Sequence, residues 1–308
     1  MQTTLLNTIS CTGIGLHSGA DVTLTLRPAP VDHGIVFVRM DLAGDNVIPA
    51  LYDRVVDTRL CTVIGNDAGA TVGTIEHLMS ALRGCGIDNL IIELNGPEVP
   101  LMDGSAEPFV ALIEKSGTRE QPMPRRAIQV LKEIVVEENG KIARLSPSNG
   151  SIFGGEIEFA HPSIGRQKYE TRLVNGNFRH DIASARTFGF AHEVEAMRKA
   201  GLARGGSLDN AIVLSETAVL NIEGLRFDDE FIRHKLLDAI GDLYLAGGPI
   251  LGAYDGFKAG HAMNNAVLRK LFATPDAWVM VDMFVELDDS NAAKAALLSI
   301  PDAEMAAA

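Results

Sequence analysis

His234, Asp238 and Asp242 stand at successive steps of four within residues 229–246. Residues four apart share one face of a helix, so an imidazole and a carboxylate there can converge on one point. His234 and Asp238 make two candidate ligands for a metal ion. A zinc site that does chemistry takes three protein ligands and leaves a fourth position for water. An H-x-x-x-D pair alone reads as an ordinary pair on a helix surface, so the metal reading needs a third ligand and a base from elsewhere.

The elements that must position these groups are legible in the apolar pattern. Phe231, Ile232, Leu236, Leu237, Ile240, Leu243 and Tyr244 recur at helical spacing. Asp229 and Glu230 suit the positive end of the helix dipole, and Gly247, Gly248 and Pro249 stop the helix. A second helix is predicted from Thr74, its expected N-cap, through Leu78, Met79 and Leu82 to Gly84, with Glu76 and His77 in its first turn. Each of the two helices is followed by a glycine break, an apolar strand (89–96 and 249–256) and a further helix. The halves therefore read as diverged copies of one unit, a sheet with two helices. Each helix layer needs its apolar face covered, so the copies should face each other through their helices. The expected fold is α+β, with two similar domains and the active site between them. His77 would then lie opposite His234 and Asp238.

Two histidines, an aspartate and an open position describe a catalytic zinc site. Glu76, beside His77, is placed to act as general base for the water. The pair His192-Glu193 begins like H-E-x-x-H, but Ala196 occupies the second histidine position. The same three ligands could hold iron(II), which leaves an Fe(II) oxygenase as a competing reading; that chemistry has no need of a glutamate beside the first histidine. A metal-stabilised protein that binds without cleaving is a third reading, and loss of Glu76 would have pointed to it.

With 308 residues, 46% hydrophobic and 22% charged, the chain reads as globular and about two domains long. No apolar run reaches the ~18 residues that span a bilayer, and residues 1–7 lack the features of a signal peptide, so a cytoplasmic protein is expected. A net charge of −13 argues against nucleic-acid binding and requires local basic groups for any anionic substrate. Cys11, Cys61 and Cys85 have neither disulfide-framework nor thiolate-zinc spacing. Residues 12–19 (T-G-I-G-L-H-S-G) fail the G-x-G-x-x-G test and read as a tight hairpin whose glycines let the backbone pass close to something. Asp103-Gly104 reads as a turn, with Ser105 capping a helix to about residue 115. Residues 116–126, polar and holding two prolines, read as a linker dividing the chain into domains at 1–120 and 127–300. Asn139-Gly140 is a strong hairpin signal.

Taken together, six stretches occur in register: T-G-I-G-L-H-S-G at 12–19, E-H at 76–77, P-L-M-D-G-S at 100–105, S-A-R-T-F-G-F at 184–190, R-H-K-L-L-D-A-I-G-D at 233–242 and F-K-A-G-H at 257–261. In this order the chain closely resembles the UDP-3-O-acyl-N-acetylglucosamine deacetylases, zinc amidases that commit bacteria to lipid A synthesis. The resemblance covers essentially the whole chain. It implies a ribosomal protein S5 domain 2-like fold for each half, Zn2+ (or Fe2+) on His77, His234 and Asp238, and Glu76 as general base. It implies Thr187 at the oxyanion, and His261 as second catalytic group with Asp242 as partner. Lys235 would serve catalysis and, with Lys258, the diphosphate. Leu16, Phe188, Phe190 and Ile212 would bind substrate, with Met197 and Leu202 also in the walls of an acyl-chain passage formed by an insert near 191–214. His161 would face the nucleotide. The helix start at His261 should lower its pKa, and the Asp242 charge should raise it. The substrate is the expected partner, with the protein a monomer.

Overall fold

The computed structural model describes residues 1–174 and 176–286, together with the backbone of the strand Lys294–Leu298. The expected end of the second domain, near residue 300, lies outside the described residues. The architecture is mixed α and β, with helices packed on several sheets. The helices are α1 (Glu76–Gly84), α2 (Glu107–Ser116), α3 (Phe178–Asp181), α4 (Ala191–Lys199), α5 (Glu230–Tyr244) and α6 (His261–Phe272).

One sheet runs Ile9–Ile14, Asp21–Pro28, Leu90–Leu94, Ile35–Arg39, Val47–Pro49. Leu90–Leu94, the strand after α1, is antiparallel to Asp21–Pro28 and parallel to Ile35–Arg39. The larger sheet repeats that order: Ile134–Glu138, Lys141–Ser146, Ile250–Phe257, Ser151–Glu158, Arg166–Arg172. Here Ile250–Phe257, the strand after α5, is again antiparallel to one neighbour and parallel to the next. Arg125–Val130 pairs parallel with the start of Ile250–Phe257 and antiparallel with Trp278–Glu286.

Between the sheets, α1 lies against α5. The first seven residues of α1 are buried, and in α5 only Arg233 and Lys235 are not. A helix buried nearly all round belongs at the centre of a core, and its polar residues need partners there. The two helices meet backbone to backbone at Gly241, where an added Cβ would stand 2.0 Å from the Glu76 carbonyl oxygen. Glycine at that position is what lets the chemistry-bearing turns of α1 and α5 come together.

Three local expectations differ. Thr74 does not cap α1: its φ is +56° and its buried hydroxyl has no hydrogen-bond partner. The turn delivers Glu76 and His77 inward instead of closing the helix end. Within the stretch read as linker, Thr118–Gln121 is a strand paired antiparallel with Gln2–Leu5. Thr118, Arg119 and Glu120 are exposed, and a ribbon with one solvated face leaves little apolar signal. Ser105 is two residues ahead of α2, and its Oγ accepts from the Glu107 N–H at 3.2 Å while donating to Asp103 at 2.7 Å. The hairpin at Asn139-Gly140 has φ of +51° and +73°, as a tight turn of that composition requires.

Candidate metal centre and active site

His77, His234 and Asp238 are all buried, and one ligand atom from each lies within 4.8 Å of the others. Asp238 Oδ1 is 3.6 Å from His77 Nε2 and 3.4 Å from His234 Nε2, too far for good hydrogen bonds, and it is buried without a partner. An orphaned buried carboxylate oxygen is costly and needs an explanation. A cation between the three groups provides one, and two imidazole nitrogens with one carboxylate oxygen are a donor set suited to zinc or iron(II). The His234 Nδ1 lies 3.1 Å from the Ala185 carbonyl oxygen, so Nδ1 carries the proton and Nε2 keeps its lone pair toward Asp238. Burial lowers the His234 pKa to about 3, which keeps the ring neutral. For Asp238, burial works against ionisation, but the neighbouring imidazole and the Lys235 ammonium outweigh it and hold the carboxyl well below its usual range. Lys235 Nζ is 2.8 Å from Asp238 Oδ2, leaving Oδ1 free to face the histidines.

A second set of groups adjoins the first. Glu76 is buried beside His77, and its Oε2 accepts the Thr62 backbone N–H at 3.1 Å. Burial raises its pKa and the His261 charge pulls it back, leaving a net upward shift. His261 is the first residue of α6, with Nε2 3.8 Å from Glu76 Oε1 and Nδ1 2.8 Å from Asp242 Oδ2. Burial would lower its pKa, but Asp242 and Glu76 override that and lift it to about 10. The imidazole is therefore a cation at neutral pH. Asp242 also accepts from Asn264 Nδ2 at 2.8 Å and from the Thr62 hydroxyl at 2.5 Å.

Thr187 is two residues beyond Ala185; its N–H donates to the Gly104 carbonyl, and its carbonyl accepts from Ile212, each at 2.8 Å. Phe188 packs edge-on against Phe231 and, at 6.3 Å, against His234, with Lys235 Nζ 5.6 Å above its ring. Phe190 lies against Phe159 and His161. Ile212 is fully buried, Met197 half-buried and Leu202 exposed. Residues 188–214 form a strand–helix–strand crossover, Phe188–Phe190 pairing parallel with Ile212–Leu214, while α4 between them buries none of its residues. The insert also docks on the glycine loop: the Gly205 N–H donates to the Leu16 carbonyl at 2.9 Å, and a Cβ on Gly205 would meet the Gly15 carbonyl at 2.3 Å. Lys258 is turned onto Glu158, 2.6 Å away. His161 spends both ring nitrogens within the protein, on Ser163 N–H and the Ser215 carbonyl. Asp103 is a turn carboxylate that also pairs with Arg226.

Sequence reasoning did not single out Thr62, Asn264, Gly241 or the Ala185 carbonyl. Asn264 had a signal, standing three residues after His261 on one helical face. Thr62 is drawn in by a fold contact from 180 residues away and had none.

A buried N,N,O donor set flanked by a carboxylate with raised pKa and an imidazolium defines a metal-dependent hydrolase. The family model for UDP-3-O-acyl N-acetylglycosamine deacetylase matches residues 2–273, and the chain belongs to that family. Among curated relatives, the UDP-3-O-acyl-N-acetylglucosamine deacetylase of Chromobacterium violaceum is 50% identical over 306 residues, 99% of each chain. That of Myxococcus xanthus is 52% identical over 280 residues, 91% of this chain and 89% of the relative. That of Stenotrophomonas maltophilia is 53% identical over 283 residues, 91% and 93%. Among the described residues, no helix is long and apolar enough to cross a membrane.

Proposed function

We propose that this chain hydrolyses the N-acetyl group of UDP-3-O-acyl-N-acetylglucosamine, releasing acetate, in lipid A biosynthesis. The observation that carries the reading is the unpaired Asp238 Oδ1 between His77 and His234, with Glu76 and His261 beside it, in a chain of this family. Zn2+ is the metal expected on that donor set, and Fe2+ suits the same ligands. Once bound, the cation supplies Lewis acidity, polarising the amide carbonyl and easing the deprotonation of water.

The protein groups divide the proton work. Glu76, ionised, takes a proton from the attacking water as its oxygen adds to the acetyl carbon. The Thr187 hydroxyl donates to the oxyanion that develops on the carbonyl oxygen. When the C–N bond breaks, the His261 imidazolium gives its Nε2 proton to the leaving amine, and acetate departs with the new oxygen. Asp242 keeps His261 charged by holding Nδ1. Lys235 stabilises Asp238 as a carboxylate; with Lys258 it meets the diphosphate, which requires Lys258 to release Glu158. Leu16, Phe188, Phe190 and Ile212 line the path of the acyl chain, with the 191–214 insert forming its wall.

The repeated strand order supports a duplicated unit, each copy S5 domain 2-like, spanning 1–120 and 127–300 with the site between them. A monomer acting in the cytoplasm on a membrane-lipid precursor fits this reading. The test is acetate release from the acylated UDP-sugar by protein of known metal content. Turnover that follows the metal supports the assignment, and a fully metal-loaded protein that releases no acetate contradicts it.

A further inference from the structure

Thr62 lies on the segment that precedes the strand Val63–Gly65 and is 1% exposed. It makes two contacts with two different helices. Its backbone N–H donates to Glu76 Oε2 on α1, and its hydroxyl donates to Asp242 Oδ1 on α5. Among the described residues, that hydroxyl is the one hydrogen-bond donor on Asp242 Oδ1. The other oxygen, Oδ2, is shared by His261 and Asn264, whose own Oδ1 is held by the Tyr254 hydroxyl at 2.6 Å.

These contacts fix the plane of the Asp242 carboxylate. With Oδ1 pinned by Thr62, Oδ2 is turned toward His261. The two Thr62 donors are separated only by covalent geometry and one stiff χ1 torsion, because a β-branched side chain has few rotamers. The residue is therefore a short, rigid link between Glu76 and the Asp242–His261 pair, across the packing of α1 on α5.

We propose that Thr62 is a positioning residue for the deacetylation, setting the Asp242–His261 pair in register with Glu76 so that base and acid address one amide bond. This rests on the roles given to Glu76 and His261 above. A misplacement on the order of 1 Å is enough to cost a large factor in rate.

The experiment uses the full-length, metal-loaded enzyme with its UDP-sugar substrate. Thr62→Val keeps the shape and the backbone N–H while removing the hydroxyl. A hydrogen bond to a charged group is worth about 1.5–3 kcal/mol, so kcat should fall roughly 10- to 100-fold, with KM within about twofold and metal content at the wild-type level. Thr62→Ser restores the donor on a looser side chain and should recover turnover to within about fivefold of wild type. Because the hydroxyl acts through Asp242, Thr62→Val should add less than about threefold to the defect of Asp242→Ala. A purely structural role would lower the melting temperature and leave kcat alone. Wild-type kcat in Thr62→Val, equal loss in the Val and Ser variants, loss of metal in Thr62→Val, or additive defects with Asp242→Ala would each overturn the proposal. Glu76→Gln is assayed beside them. Wild-type turnover there removes the underlying reading of the base, whereas an inactive Glu76→Gln with a fully active Thr62→Val overturns Thr62 alone.

Discussion

His234 is buried and His261 nearly so, yet one is neutral and the other charged. The difference is in their partners. For His234 burial, helped by the nearby Lys235, outweighs the one facing carboxylate of Asp238, whereas His261 has the Asp242 and Glu76 carboxylates on its two sides. The two should therefore fail differently when removed. His234→Ala should lose metal and rate together, because a ligand is gone. His261→Ala should keep its metal while turnover falls roughly 10²- to 10⁴-fold, the usual worth of a general acid. Metal analysis beside kcat separates them, and equal metal loss in both would mean that His261 is a ligand. The pH profile follows from the same contacts. As the proposed acid, His261 has to be protonated, so activity should fall as pH rises past its pKa, which the carboxylates lift to about 10. Asp242→Asn removes one of the charges doing the lifting. Its His261 pKa should drop and the alkaline limb should move to lower pH. An unmoved limb would assign it to another group. As the proposed base, Glu76 would act as the anion, and its pKa is raised by burial, so the acid limb should lie above the range of an exposed glutamate.

At the level of elements, the site depends on how closely α1 and α5 can approach. Gly241→Ala would drive a methyl group into the Glu76 carbonyl, so the helices must separate. Overpacking of this kind costs about 1–3 kcal/mol. The melting temperature should fall, and metal affinity with it, since His77 recedes from His234 and Asp238. Unchanged metal affinity would show that the helix contact does not set the ligand spacing. The helices themselves were readable because they are long, buried and regularly apolar, and the Asn139-Gly140 hairpin because its turn chemistry is specific. Thr118–Gln121 was hidden by its exposed, polar ribbon. Thr74 misled because threonine before an apolar run resembles a cap, while its φ of +56° is not the extended conformation of an N-cap. His234, Asp238 and Asp242 declared themselves by helical spacing. His77 emerged only through the internal repeat, and Thr62 through a tertiary contact with no periodic trace.

Across the whole molecule, two of the candidate ligands lie on α5 and the third, His77, lies on α1, 157 residues before His234, so metal binding is coupled to the packing of α1 on α5. A ligand that binds only the folded state stabilises it by about 2.7 kcal/mol at 100 times its Kd. For a chain of this size that is about 4 °C in melting temperature. Metal removal should lower the Tm by that amount in the wild type and in His261→Ala, and have little effect in His234→Ala. The same drop in all three would place the metal elsewhere. The central claim is that Glu76 drives water onto the acetyl group beside a metal held by His77, His234 and Asp238. It is tested most directly by acetate release from Glu76→Gln with metal content measured on the same sample. Full metal occupancy with turnover reduced roughly 10²- to 10⁴-fold is the result expected for loss of a general base. Full occupancy with wild-type turnover would contradict it.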